Sequence, residues 1–333
     1  MSVSPQHHAV LSEPVEQLPA ERRPTPGPIA VLPNPKGVFV DAVRAGGGTV
    51  AELSSETRGV VWLSSRDATQ LTTVLADNPQ IEWVQLSWAG VDGFSAVLPA
   101  YAGKALPLWT SAKGAYSQPV AEHALALTLA LLREFPKRVV ATSWATFKEG
   151  TSLFGLNILI IGAGGIAIEL IRMLELFNVH ITVVRRSSEP MLGAERTLTV
   201  DRLDEALPDA DVVVVAAAFT EGTSKLIGSP QLAAMKPTAV LVNIARGGLV
   251  DTDALTEALA KSTIAGAGLD VTDPEPLPDG HLLWNESRVI ITPHSADTPT
   301  MTAPLLAERI RINVEAFLGD GRFVGIVNPA AGY

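Results

Sequence analysis

The sequence predicts an α/β protein of two doubly wound domains, each built on a parallel sheet. Three observations carry that prediction. At 333 residues the chain exceeds what one ordinary core organises, and two domains of about 100 to 200 residues accommodate it. Short apolar runs alternate with amphipathic stretches in two successive series, the grammar of repeated strand and helix units. The runs of the second series are nearly continuous Val, Ile and Ala, as strands covered on both faces require.

The elements follow in order. The first 35 residues hold eight of the 24 prolines, so residues 1–28 read as an extended tail with no periodic apolar face. From Ile29 the first series runs "IAVL", "GVFVDAVRAGG", "TVAEL", "GVVWLSS", "ATQLTTVLAD" and "IEWVQLSWAG". Next, "SQPVAEHALALTLALLREFP" has a Ser/Pro start, apolar residues all round and a proline stop. It reads as a long buried helix over about residues 119–135, and its burial demands a partner surface. The second series comprises "NILIIGAGG", "HITVV", "DVVVVAAA", "AVLVNIA", "IAGAGLDV" and "RVIITPH".

Composition excludes several functions. With 47% hydrophobic and 18% charged residues the chain is globular in character, not disordered or fibrous. A net charge of −10 opposes binding to a phosphate backbone, so nucleic acid is not an expected partner. The absence of cysteine removes disulfides, thiolate metal sites and a cysteine nucleophile, and no metal is expected. "MSVSPQHHAV" lacks the basic start and apolar core of a signal peptide, and no run reaches the ~18 apolar residues of a membrane span. The expectation is a soluble, cytoplasmic protein with no membrane partner.

The segment "ILIIGAGGIAIELIRMLELF" carries G-x-G-x-x-A at Gly162, Gly164 and Ala167. Those three positions alone are a weak signal, and a glycine-rich turn of any α/β protein fits them too. Context strengthens it: an apolar strand precedes, and Ile166, Leu170, Met173, Leu174 and Phe177 follow at helical spacing. Gly162 permits the tight turn and Gly164 lets backbone approach a pyrophosphate. The helix start at Gly165 and Ile166 supplies free N–H groups and partial positive charge. The expected domain is Rossmann-like and binds a dinucleotide.

The second strand, "HITVV", ends in "RRSS". An acidic residue there would hold the adenosine ribose hydroxyls, whereas arginine accommodates a 2′-phosphate. Arg185 and Arg186, with Ser187 as an added donor, therefore favour NADP(H) over NAD(H), against the bland alternative of solvated surface arginines.

Three polar residues stand at strand ends of this series: Arg246 in "NIARGG", Glu275 in "LDVTDPEP" and His294 in "ITPHSA". Ligands bind at such ends in open parallel sheets. Each residue alone has an ordinary explanation, and a lone histidine usually does. Together they suit carbonyl reduction. That reaction needs a cation to hold a substrate carboxylate and polarise the carbonyl, and an acid to protonate the developing alkoxide. Arginine offers a permanent bidentate charge and histidine titrates near neutrality, with a neighbouring carboxylate to orient it.

These residues resemble the D-isomer-specific 2-hydroxyacid dehydrogenase family, from about Ile29 to Tyr333. "VAEHALAL", "GAGGIA", "NIARGGLVDTDAL", "GAGLDVTDPEPLP" and "LLWNESRVIITPH" occur in family order and near family spacing. The resemblance implies transfer of hydride between NAD(P)H and the C2 carbonyl of a small 2-keto acid, of glyoxylate/hydroxypyruvate or 3-phosphoglycerate type. By the same resemblance Arg246 binds the carboxylate and carbonyl, His294 is the acid/base, Glu275 is its partner, and Asp270 falls near the nicotinamide amide. It implies a discontinuous flavodoxin-like substrate domain of residues 29–117 plus 299–333, a nucleotide domain of residues 118–298, and a cleft between them whose floor carries Arg246. "SWAGVD" matches the family loop whose backbone N–H groups face the substrate carboxylate, at Ala89, Gly90 and Val91. The long helix resembles the family's dimerisation helix, so a homodimer is expected. Trp88, Lys113 and Trp284 read equally as pocket lining or as packing.

There are departures from the family pattern. Ala218 stands where proline is common, and Ala167 replaces the third glycine. No regulatory domain is expected after the core, and Glu275 disfavours formate dehydrogenases, which carry glutamine there. The alternative from another class is an NAD(P)H-sensing corepressor on the same fold.

Overall fold

A computed structural model describes residues 15–64, 68–144 and 148–331. The chain divides into two compact units, Met1–Gln118 with Thr298–Tyr333, and Pro119–Asp297.

In the first unit the strands Ile29–Leu32, Gly59–Trp62, Trp83–Leu86 and Leu108–Thr110 form a parallel sheet in that order. The apolar run "TVAEL" contributes only a bridge, Val50 beside Ile29, on the outer side of the first strand. The order is thus the flavodoxin-like 2-1-3-4-5 with its second position reduced to one residue. Trp62, Trp83 and Trp109 are buried in the sheet. Helices Gly37–Ala45 and Pro299–Leu318 pack together, with Gly46 so close that a Cβ would stand 2.6 Å from the Arg311 carbonyl.

The reading of residues 1–28 as an unpatterned tail needs correction where they are described. Val15–Gln17 pairs antiparallel with Arg322–Val324, Leu18 is buried, and the Arg23 Nε donates to the Leu18 carbonyl. The proline-rich composition concealed this because a three-residue strand owes its register to its partner and has no period of its own. The first fourteen positions lie outside the described residues.

The second unit has a seven-stranded parallel sheet. Its order is Val289–Ile291, Gly266–Leu269, Val240–Asn243, Val212–Val215, Asn157–Ile161, His180–Arg185 and Arg196–Thr199. Read from the far edge this is 3-2-1-4-5-6 with one strand added, the Rossmann order, and its switch point falls between Asn157–Ile161 and Val212–Val215. Val212 to Val215 are at most 1% exposed, so the all-valine run is covered on both faces. Each such side chain contributes about 1.5 to 3 kcal/mol on burial. The edge strand Arg196–Thr199 escaped the sequence reading because "RTLT" is polar on its open side.

The long helix spans Ser117–Leu132. It stops at Leu132, short of the expected end near residue 135, because Glu134 turns left-handed (φ 54°) and Pro136 cannot donate a helical hydrogen bond. One face lies on strand Gly266–Leu269, whose Gly266 and Gly268 leave room for Leu131 and Leu127.

Candidate active site

The glycine turn begins where strand Asn157–Ile161 ends. Gly162 has φ 119°, and a Cβ there would lie 2.4 Å from the Ala216 carbonyl, so no side chain fits. Gly164 caps helix Gly165–Leu174, and a Cβ on it would meet nothing within 4 Å. Bare backbone therefore faces open space. Among the described residues the N–H groups of Gly164, Gly165 and Ile166 have no protein acceptor, and the first helical turn has no acidic side chain. That is an anion cradle.

Gly162 N–H donates to the Val184 carbonyl at 2.8 Å, which sets the turn beside the end of strand His180–Arg185. Arg185 is half-buried, Arg186 exposed, and the Ser187 Oγ is buried without a hydrogen-bond partner. An orphaned hydroxyl beside two arginines, next to an anion cradle, fits the phosphates and ribose of a dinucleotide.

Arg246 leaves strand Val240–Asn243 in extended conformation (φ −142°) and is half-buried. Its Nη1 donates to the Ala245 carbonyl at 2.7 Å, and Asn243 Nδ2 donates to the Arg246 carbonyl at 3.0 Å. The glycines after it are dictated by space: a Cβ on Gly247 would stand 1.9 Å from the Thr272 carbonyl oxygen, and one on Gly248 2.8 Å from the Phe219 ring.

His294 follows strand Val289–Ile291 in the left-handed region (φ 50°), its N–H shared between the carbonyls of Asp270 (2.8 Å) and Thr292 (2.9 Å). Its Nδ1 is 2.7 Å from Glu275 Oε1. An ionised carboxylate only accepts, so Nδ1–H is the donor and Nε2 is the nitrogen left for other chemistry. Arg246, Asp270 and His294 stand just beyond the C-terminal ends of three neighbouring strands, which places them on one edge of the sheet.

Asp270 is 2% exposed. Its carboxylate accepts from the Thr292 hydroxyl (2.6 Å) and from the N–H groups of Ser295 (2.9 Å) and Ala296 (3.1 Å). Much of its capacity is therefore spent on the loop that carries His294. Asp297, which sequence reasoning passed over, feels His294, Asp270 and Arg246, and burial pushes its carboxyl above the ordinary carboxylate range. An acid three residues after the histidine in "PHSAD" was the available signal.

In the first unit, the loop after strand Trp83–Leu86 holds Ala89, Gly90 and Val91, whose N–H groups have no protein acceptor among the described residues. Tyr116 Oη donates to the Ser87 carbonyl (2.6 Å) and Ala112 N–H to that of Trp88 (3.0 Å), tying this loop to the one that carries Lys113. Trp88 is exposed and Lys113 intermediate. Trp284 gives its indole N–H to the Pro278 carbonyl.

Hydride transfer from a nicotinamide needs a dinucleotide held at a switch point and proton-transfer groups at the same sheet edge, and the second unit has that architecture: it is that of an NAD(P)-dependent dehydrogenase. Residues 124–296 match the family described as D-isomer specific 2-hydroxyacid dehydrogenase, NAD binding domain, and the chain belongs to that family.

An uncharacterized protein in the proB 3′ region of Corynebacterium melassecola is 39% identical over 258 residues, 76% of this chain and 84% of that one. The glyoxylate reductase of Pyrococcus furiosus is 34% identical over 219 residues, 62% and 65% of the two chains. Among solved structures, the NADPH-dependent glyoxylate/hydroxypyruvate reductase of Sinorhizobium meliloti in complex with citrate superimposes with a TM-score of 0.72 at 26% identity. It covers 92% of this chain and 98% of that one.

Proposed function

We propose that this chain reduces the C2 carbonyl of a small 2-keto acid of the glyoxylate/hydroxypyruvate type to a D-2-hydroxy acid, with NADPH preferred over NADH. The observation that carries the reading is the 2.7 Å pair of His294 Nδ1 and Glu275 Oε1 on the sheet edge that also holds Arg246. The reductase names of the relatives support turnover over the corepressor alternative.

The residues divide the work. Gly162, Gly164, Gly165 and Ile166 receive the pyrophosphate, and Arg185, Arg186 and Ser187 receive the adenosine end with its 2′-phosphate. When bound, the nicotinamide supplies a hydride to C2. In the first unit the N–H groups of Ala89, Gly90 and Val91 are donors suited to a carboxylate; in the second the Arg246 fork takes a 2-keto acid's oxygens and draws charge toward the carbonyl. His294, protonated at both nitrogens, gives its Nε2 proton to the developing alkoxide while Glu275 keeps Nδ1–H engaged. Asp270 holds the histidine loop through its carboxylate and would help hold the nicotinamide end of the cofactor.

His294→Ala is the direct test: kcat for glyoxylate or hydroxypyruvate should fall at least ~10²-fold with cofactor affinity nearly intact. Near-normal turnover would remove His294 from the reaction. Measured against both cofactors, kcat/KM should favour NADPH by roughly 10- to 100-fold and less so at high salt, because the arginines that make the difference are partly solvated. Equal values would reduce Arg185 and Arg186 to surface charge.

A further inference from the structure

Helix Ser117–Leu132 lies against strand Gly266–Leu269 at glycine distance. A Cβ on Gly268 would stand 3.1 Å from Leu127 Cβ, and one on Gly266 3.4 Å from a Leu131 methyl. Leu131, Leu127 and His123 recur at four-residue spacing and share one helix face. The helix runs opposite to the strand, so His123, a turn nearer the helix start, reaches the strand's exit at Asp270.

There the side chains form one hydrogen-bonded chain. His123 Nε2 is 2.9 Å from Thr292 Oγ1, and that oxygen is 2.6 Å from Asp270 Oδ1. The direct distance from His123 Nε2 to Asp270 Oδ1 is 3.5 Å. An ionised Asp270 offers only lone pairs, so the Thr292 proton goes to it, and His123 Nε2–H must then donate to Thr292 Oγ1. The His123 donor occupies a lone pair of the Thr292 oxygen and holds that oxygen in place, while the hydroxyl proton serves Asp270. The buried carboxylate in turn holds the Ser295 and Ala296 N–H groups, and its own backbone carbonyl holds that of His294. His294 sits at φ 50°, a conformation a histidine keeps only where its surroundings impose it.

We propose that His123 is a positioning residue for His294. Through Thr292 and Asp270 it locks the backbone of residues 294–296 so that the imidazole meets Glu275 with Nε2 presented to the reactant. The inference rests on the reading of His294 as the proton donor, and it gives a polar task to a helix otherwise occupied with packing.

His123→Phe keeps a ring and loses the donor, whereas His123→Gln keeps an N–H near the place of Nε2. His123→Phe should lower kcat ~10-fold or more while KM for the keto acid and Kd for the nucleotide stay within ~3-fold, since misplacing a reacting group costs rate before affinity. His123→Gln should recover kcat to within ~3-fold of the parent. Thr292→Val breaks the same chain, so it should match the loss, and adding His123→Phe to it should cost nothing more. In hydrogen exchange the amides of Ser295 and Ala296 should lose protection in His123→Phe while strand Asn157–Ile161 keeps its own. Normal kcat in both His123→Phe and Thr292→Val would overturn the inference, as would a glutamine variant as impaired as the phenylalanine one, or losses that multiply in the double variant. If His294→Ala itself turns over normally, the reading of His294 fails instead; an inactive His294→Ala beside a normal His123→Phe refutes the positioning role alone.

Discussion

Asp297 shows how burial turns one side chain into a pH-dependent term in stability. In an unfolded chain an aspartate ionises near pH 4. In the folded chain burial raises that value, the charge of Asp270 adds to the rise, and His294 and Arg246 oppose it. Between the two values the folded state binds the proton that the unfolded state has lost. Stability therefore falls as pH rises through that window, and the penalty is complete above the folded value. Asp297→Asn removes the titration, so the variant should melt at higher temperature than the parent at pH 7, with the gain shrinking toward pH 4. Thermal melts at both pH values check it, and an equal difference at each would assign the effect to packing. The identities of Arg246, Glu275 and His294 were legible in the sequence because they stand beside strand-end patterns. The burial that distinguishes Asp297 was not, since it depends on atoms from other segments.

At the scale of elements, the turn "ARGG" joins Arg246 to the helix Thr252–Ala260. Its two glycines answer to different neighbours. At Gly247 the obstacle to a Cβ is backbone, the Thr272 carbonyl at 1.9 Å, whereas at Gly248 it is the Phe219 ring, a side chain that can swing. Gly247→Ala should therefore cost about 3 kcal/mol or more and disturb the arginine, and Gly248→Ala about 1 kcal/mol. Urea unfolding of the two variants measures the difference, and similar costs would contradict the backbone clash. Sequence pattern found both glycines, but only the packed strands distinguish an obligatory one from a tolerant one. The same limit applies to "TVAEL" and "RTLT": the apolar run became a single bridge, and the polar run became an edge strand. Local alternation describes how a segment can pair, and the presence of a partner decides whether it does.

For the whole molecule, exposed apolar surface bears on assembly. Helix Ser117–Leu132 buries the face that carries Leu127 and Leu131, yet leaves Ala126 exposed and Leu125, Leu129 and Ala130 partly so. Beyond it Phe135, Val139, Val140 and Trp144 are exposed, Trp144 at 95%. Exposed apolar surface of this extent motivates the prediction that a second copy covers it. We expect sedimentation at micromolar concentration to give twice the 35.1 kDa chain mass, and Val140→Asp with Trp144→Asp to give the single chain. A parent protein that sediments as one chain would show that this surface is not self-complementary. No helix of the described residues is long and apolar enough to cross a membrane.

By itself the sequence determined the α/β class and the two alternating strand and helix series, and it singled out the glycine turn and the polar candidates near strand ends. Those properties are local: they reside in period, spacing and the conformational demands of single residues, which a linear string records. Only the tertiary structure decided that Val15–Gln17 is a strand, that Asp270 spends its carboxylate on the histidine loop, and that His123 stands at the far end of that chain. His123 and Thr292 are 169 positions apart. No periodicity links residues at that separation; they meet because a helix and a strand packed at glycine distance bring them to hydrogen-bond range, and that distance is set by the core.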